Sequence, residues 1–203
     1  MKKPKEQKLK NLPVYKKISV DDIPPMSVGL CYGGNKVTET VGNTKYKHPY
    51  YPPAYHAFIY QIAGVILNVG KYKTQESIVD FCTGNERIDI IAYKDLTMKQ
   101  RMKLLNVSML DVDKPKLIKF PTYDWKGFSH FGFKFVKPSK KKDFCSDNCV
   151  DIFDSQPYKI SDKPSERTAP WDLFEYALKH KETCNINTLW IGKDFNKNYK
   201  INS

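Results

Sequence analysis

One short segment carries the residue types that a nucleophilic enzyme needs. Three lysines at 140–142 precede Asp143, and the sequence Phe-Cys-Ser-Asp-Asn-Cys follows, with Cys145 four residues before Cys149. Asp143 is a residue type that caps helices, so we expect a helix to start here with Cys145 in its first turn. The helix dipole and the lysines would favour the thiolate, which is the attacking form of cysteine. The alternative is that Cys145 and Cys149 are small buried apolar side chains.

A thiol nucleophile also requires a base, and the chain has four histidines. His56 opens the apolar run His-Ala-Phe-Ile-Tyr, where an imidazole would lie at the rim of a core, so it is our first candidate. A hydrogen-bonded structural role is the alternative for His56. His130 opens an alternating aromatic run and is the second candidate. His180 is expected to end a helix, where its charge suits the dipole, and His48 lies in a loop rich in Pro and Tyr.

A zinc site is a competing interpretation of the same residues. Cys145 and Cys149 would supply two ligands, with His130 and Cys184 as distant partners. Structural zinc usually takes two closely spaced pairs, and only one such pair is present, so we predict no metal. The chain also lacks the Gly-rich motifs that hold phosphates, and no cofactor is expected.

The surrounding segments indicate a mixture of short strands and helices. Strands are predicted at residues 26–32, 56–60, 65–69, 88–93, 131–135 and 189–191, and the second and third would form a hairpin. Helices are predicted at 97–110, from 145 to 154, and at 171–180. Because strands and helices do not alternate strictly, the fold class is α+β rather than a doubly wound parallel sheet.

The helix at 97–110 has the clearest local signals. Thr97 and Gln100 have the spacing of a capping box. Apolar residues then recur at helical spacing, and we expect them to face the core: Met98, Met102, Leu105 and Met109.

Length and composition limit the class of protein. The 203 residues fit one domain, which we divide into a flexible basic tail at 1–20 and a single domain at 21–203. Hydrophobic residues at 40% and aromatic residues at 13% argue against a disordered chain. Five cysteines are too few for a disulfide scaffold, so the thiols are expected to be reduced, in a cytoplasm.

The formal charge of +12 is due almost entirely to lysine. Arginine occurs only at Arg87, Arg101 and Arg167, and arginine is the side chain that reads guanine and grips phosphate bidentately. We therefore expect no specific nucleic-acid partner, and at most weak binding to anionic surfaces. The most apolar stretch, 57–69, is shorter than the ~20 residues of a membrane span, so no transmembrane segment is expected.

Five short pieces of sequence occur in a recognisable order. Gly-Leu-Cys-Tyr at 29–32 is followed by Tyr-His-Ala-Phe-Ile-Tyr at 55–60, then by Tyr-Asp-Trp-Lys-Gly at 123–127. Phe-Cys-Ser-Asp at 144–147 precedes Ala-Pro-Trp-Asp-Leu-Phe at 169–174. This order resembles the circularly permuted papain-like group of the NlpC superfamily, which includes YiiX-type bacterial hydrolases, lecithin retinol acyltransferase-like enzymes, and proteins of phages and large DNA viruses.

The resemblance implies a permuted papain-like fold, in which an antiparallel sheet packs against the helix that bears the nucleophile. It implies that Cys145 is the nucleophile and His56 its general base. Asn68 falls where the family often has Glu or another polar residue that orients the histidine, and an Asn can hold the imidazole by accepting its N–H. Asp147 replaces the more common Glu after Cys-Ser.

The resemblance also implies a reaction and its substrate contacts. The activity would be that of a thiol-dependent hydrolase or acyltransferase, which cleaves an amide or ester through a thioester. The substrate would be a peptide, a peptidoglycan-derived group or a lipid acyl group, contacted by Tyr32, Tyr55 and Trp125. Tyr55 replaces the usual Ser. A viral member would act in the host cytoplasm. The alternative is an inactive relative that binds nucleic acid or anionic surfaces through its basic charge.

Overall fold

A computed structural model describes residues 15–32, 54–70, 72–82, 87–112 and 144–189. The strands are β1 (Ser27–Tyr32), β2 (His56–Ile62), β3 (Val65–Val69), β4 (Lys73–Ser77), β5 (Arg87–Tyr93) and β6 (Cys184–Leu189). The helices are α1 (Ile78–Cys82), α2 (Met98–Leu110), α3 (Cys145–Asp154) and α4 (Pro170–Lys179).

The six described strands form one antiparallel sheet in the order β4-β3-β2-β1-β5-β6. The four described helices and this sheet confirm the predicted α+β class. The finer assignment to a permuted papain-like fold stays a prediction.

The β2–β3 hairpin predicted from two apolar runs is confirmed. Its turn holds Ala63 at φ 51° and Gly64 at φ 78°, the left-handed backbone that tight hairpin turns require. The hairpin pairs Phe58 with Asn68, which fixes Asn68 on the same face of the sheet as His56, two residues before Phe58.

Both faces of the sheet are covered. One face packs against α2, α3 and α4 through a large apolar cluster that includes Leu30, Ile59, Leu105, Phe153 and Leu173. The other face packs against α1 and the chain before β1, through residues that include Phe58, Ile66, Ile78, Ile88 and Ile23. The central strands β1 and β5 are therefore buried along their whole length.

Residues 15–20, which we predicted to belong to the basic tail, lie against β6. The N–H of Ile18 donates to the carbonyl of Thr188 at 3.2 Å, and the N–H of Thr188 donates to the carbonyl of Lys16 at 2.9 Å. Val20 of this stretch is buried, and the backbone around Lys17 pairs with the edge strand β6, so the stretch packs with the sheet. Residues 1–14 lie outside the described residues.

Helix α2 begins at the predicted capping box, in which the N–H of Gln100 donates to the Thr97 side chain and the Gln100 side chain accepts from Thr97. The prediction that its methionines face the core is wrong. Met98, Met102 and Met109 are 65%, 47% and 54% exposed. The buried residues of α2 are instead Arg101, Leu104, Leu105 and Ser108.

The orientation of α2 follows from the hydrogen bonds of its polar residues. The Arg101 guanidinium donates to the carbonyl of Pro25, just before β1, and to that of Tyr93, at the end of β5. Ser108 accepts from the Gln61 side chain at 2.9 Å. Buried carbonyls without partners are costly, so these bonds hold the polar side of α2 against the sheet and turn the methionines to solvent.

Two elements escaped sequence analysis, and the start of a third was predicted too late. Strand β4 has the polar sequence Lys-Thr-Gln-Glu-Ser, and α1 is only five residues long, so neither carries a clear apolar period. The last described strand, Cys184–Leu189, begins five residues before the strand predicted at 189–191, of which residues 190 and 191 lie outside the described residues. The strand predicted at 131–135 lies outside the described residues.

The contact between Gly29 and Phe58 yields a stability prediction. The two residues are paired across β1 and β2, and a Cβ built at Gly29 would lie 2.0 Å from the Phe58 ring. We expect Gly29→Ala to lower the free energy of unfolding by about 3 kcal/mol, because the buried ring has to shift. Chemical denaturation measures this change.

Gly70→Ala is the matched control for that substitution. A Cβ there meets none of the described atoms within 4 Å. It should change the free energy of unfolding by less than about 1 kcal/mol. Equal stabilities for the two variants would contradict the proposed contact.

Candidate active site

Helix α3 begins at Cys145, as the sequence indicates. The N-cap is Phe144, in extended backbone and with no side-chain capping bond, rather than Asp143, which lies outside the described residues. The first-turn N–H groups of a helix lack partners within the helix. One of them, that of Ser146, points at the Cys145 sulfur.

The start of α3 is anchored on several sides. The Ser146 hydroxyl donates to the carbonyl of Thr168 at 2.6 Å, which ties the first turn to the chain before α4. Cys145 itself is buried in a small apolar cluster that also contains Val69, Phe144, Ala169 and Trp171. The position of Cys145 is therefore fixed by packing from β3 and from the start of α4.

The structure brings Cys145, His56 and Asn68 together. The His56 ring, at the first residue of β2, is hydrogen-bonded to the Cys145 thiol. Its Nε2 atom lies 2.7 Å from the Asn68 Oδ1 atom. Since Nε2 is engaged by Asn68, Nδ1 is the ring nitrogen left to face the sulfur. The three side chains have the arrangement of a nucleophile, a base and a group that orients the base.

The pKa of the Cys145 thiol is lowered, although the side chain is buried. Burial alone would raise the pKa, but the charge of His56 and the hydrogen bond from its ring outweigh burial. The backbone N–H groups of Ala57 and Ser146 also donate to the sulfur and favour the thiolate.

The pKa of His56 is raised, so the imidazole, like the Cys145 thiol, is shifted towards its charged form. Burial by itself would lower this pKa, but the negative charge of Cys145 and its hydrogen bond outweigh burial. The Asn68 hydrogen bond and the charge of Glu76 act in the same direction. Both shifts favour the charged forms, so the site stabilises a thiolate–imidazolium pair relative to what burial alone would allow.

The thiol pKa of each of the other four cysteines is raised rather than lowered. All five cysteines are free, and none is more than 4% exposed. Burial raises the pKa of Cys82 to about 12, and it also raises the pKa of the thiols of Cys31, Cys149 and Cys184. Because exposure is nearly equal, electrostatics distinguishes Cys145 from the others.

A residue that sequence analysis missed extends the site. The Asn68 Nδ2 atom donates to the Glu76 Oε1 atom at 2.6 Å, so a chain of hydrogen bonds runs from Cys145 to β4. Glu76 was missed because β4 has a polar sequence and was not predicted as a strand. The signal available in the sequence was the short polar run that follows β3 directly after Gly70 and allows a second hairpin.

The predicted substrate contacts have different outcomes. Tyr55 lies beside the site, with its ring centre 6.3 Å from that of His56, and burial raises the pKa of its phenol. Tyr32 is only 1% exposed, and its ring packs under the Arg87 guanidinium, so its position does not fit a substrate contact. Burial followed by the charge of Asp89 raises the pKa of Tyr32. Trp125 lies outside the described residues.

The residues considered for zinc are not gathered in the described part of the chain. The Cys145 thiol is hydrogen-bonded to His56, and the Cys149 thiol donates to the Cys145 carbonyl at 3.2 Å. Cys184 starts β6, and His130 lies outside the described residues. Within the described ranges, no three His, Cys, Asp or Glu side chains form a group able to hold a metal ion.

Comparison with known proteins adds no family to these observations. No family model matches the chain, and no curated protein matches it. The similarity to the NlpC superfamily therefore rests on the residue pattern and stays a prediction. None of the described helices is long and apolar enough to span a bilayer.

The ion pair predicts selective alkylation of Cys145. At about pH 7, iodoacetamide should modify Cys145 at least about tenfold faster than the other cysteines, because its thiol pKa is lowered whereas burial raises the pKa of the other four. Its rate should fall as the pH drops through the lowered pKa of Cys145. Peptide mapping by mass spectrometry over a range of pH measures the five rates.

The variant His56→Ala tests whether the imidazole is the cause of the lowered pKa of Cys145. Without the imidazolium, burial dominates and the pKa of Cys145 rises, so its alkylation at neutral pH should slow by about tenfold or more. His180→Ala, at the end of α4, is the control and should leave the rate unchanged. Equal labelling of all five cysteines in the unmodified protein would contradict the assignment.

Proposed function

We propose that the protein is a thiol-dependent hydrolase or acyltransferase that cleaves an amide or ester bond. The observation that carries the proposal is the hydrogen bond between Cys145 and His56, at a sulfur whose pKa is lowered despite burial. A buried cysteine without a role in chemistry behaves as the other four do, with a raised pKa.

The reaction begins with the thiolate of Cys145. The sulfur attacks the carbonyl carbon of the substrate, and the carbonyl electrons move to the oxygen to form a tetrahedral oxyanion. When the oxyanion collapses, the bond to the amine or alcohol breaks, and imidazolium His56 gives its Nδ1 proton to the leaving group. The products are a thioester on Cys145 and a neutral His56.

The second half of the reaction releases the acyl group. Neutral His56 accepts a proton from water, whose oxygen attacks the thioester, and the thiolate of Cys145 leaves. The acid is released and the thiolate–imidazolium pair is restored. An alcohol or amine in the place of water would give acyl transfer instead of hydrolysis.

The start of α3 supplies the charge stabilisation that the oxyanion needs. The backbone N–H of Cys145 is at the first helical position, where the dipole is positive. Removal of one oxyanion donor in such enzymes costs roughly 3 kcal/mol in the barrier.

An activated ester tests the acyl-transfer chemistry without knowledge of the natural substrate. With p-nitrophenyl acetate we expect a burst of nitrophenol and an acetyl group on Cys145, seen in the intact mass and lost with hydroxylamine. Cys145→Ala should abolish both the burst and the adduct.

Cys149→Ala is the matched control, since Cys149 lies one turn along the same helix with a thiol pKa raised by burial. It should retain the burst. A burst of the same size in Cys145→Ala, or an adduct on another cysteine, would refute the proposed nucleophile.

A further inference from the structure

Three strands place the site residues in a diagonal line. His56 is on β2, Asn68 on β3 and Glu76 on β4. Asn68 is opposite Phe58, two residues after His56, and Glu76 is opposite Ile66, two residues before Asn68. Side chains two residues apart in register lie on one face and reach each other diagonally. The two contacts are 2.7 Å and 2.6 Å long.

The carboxylate of Glu76 determines which atoms donate and which accept in this chain of hydrogen bonds. A carboxylate accepts hydrogen bonds and cannot donate them, so only the Nδ2 atom of the Asn68 amide can face it. The Oδ1 atom of Asn68 must then face His56 and accept from it. Therefore Nε2 of His56 carries a proton, and in the neutral ring Nδ1 is the free acceptor that faces Cys145.

We propose that Glu76 is a positioning residue, which acts through the Asn68 amide to select the proton-accepting nitrogen of His56. This inference rests on the proposed function, in which Cys145 and His56 react. Without an acceptor at position 76, the Asn68 amide is free to turn over and present Nδ2 to the imidazole. His56 would then hold its proton on Nδ1, where it cannot accept the proton of the thiol.

The same arrangement explains why an amide suits position 68. An acidic residue there would place a second carboxylate against Glu76, and two carboxylates in contact cannot both ionise readily. Asn68 instead satisfies both neighbours, because it accepts from the imidazole and donates to the carboxylate. The negative charge lies one residue further from His56 than in a Cys-His-Asp arrangement.

Several titratable groups surround His56, and they come from different elements. They are Cys145 on α3, Glu76 on β4, Tyr55 just before β2, Cys31 opposite on β1, and Cys82 on α1, next to Phe81, whose ring centre is 5.8 Å from that of His56. Among these groups Glu76 is the one linked to His56 through Asn68. It is therefore the one whose removal should change the tautomer.

The tautomer of His56 is the direct test. In a Cys145→Ala background the thiol no longer influences the ring, so long-range proton–nitrogen NMR spectra above the imidazole pKa report on Asn68 and Glu76 alone. We expect the Nε2–H tautomer with Glu76 present. Glu76→Gln should give a mixture in which the Nδ1–H tautomer is substantially populated, because a Gln amide either donates or accepts.

Alkylation of Cys145 gives the second readout. We expect Glu76→Gln to slow iodoacetamide at neutral pH by about tenfold, the effect of roughly one pKa unit. Glu182→Gln removes the same charge at the opposite end of the sheet and should leave the rate unchanged. The double variant N68D/E76Q should recover most of the loss, since the new carboxylate at position 68 would accept from both His56 and the new amide at position 76.

The outcomes separate this inference from the proposed function. If Glu76→Gln keeps the Nε2–H tautomer and the alkylation rate, or the double variant is no better than the single one, Glu76 does not position His56. If Cys145 in the unmodified protein reacts no faster than the other cysteines, the proposed function fails, whatever the tautomer shows. Circular dichroism and thermal melts check that each variant is folded.

Discussion

The hydrogen bond between Cys145 and His56 holds a separated pair of charges at a buried point between a helix and a sheet. Burial acts against both charges, because it disfavours a thiolate and an imidazolium alike. The pair is favoured only because the surroundings offset that cost. Backbone N–H groups face the sulfur, and Asn68 and Glu76 stabilise the positive ring. The fold can be understood as the set of contacts that keeps these compensating groups in place.

The register of the sheet strands keeps Asn68 and Glu76 next to His56. Because side chains alternate between faces, a slip of one residue in β3 or β4 would turn Asn68 or Glu76 away from His56. The hairpin turn at Ala63 and Gly64 and the apolar residues of β2 and β3 fix that register. The helix contributes differently: its first turn is fixed by Ser146 and by apolar packing, so the sulfur has a single position relative to the strands.

The sequence predicted the parts of this structure that depend on local patterns. Short apolar runs located β1, β2, β3 and β5, and helix signals located α2, α3 and α4. Residue chemistry selected Cys145 and His56, and the family pattern selected Asn68, as side chains that the structure brings together. Glu76 escaped because its strand is polar and its role depends on pairing with β3. The orientation of α2 was not predicted, because the apolar periodicity of a helix gives no indication that a buried Arg101 binds the carbonyls of Pro25 and Tyr93.

The orientation of α2, with its methionines towards solvent, has a consequence for oxidative damage. Peroxide converts methionine to a polar sulfoxide, which disrupts a protein when the side chain is part of its core. Met98, Met102 and Met109 extend into solvent, so their oxidation would add polar surface to α2 and leave the packing beneath it intact. Arg101, which takes the inward position on this helix, is not a target for that chemistry. The helix can thus accumulate sulfoxides while the sheet that carries His56 keeps its geometry.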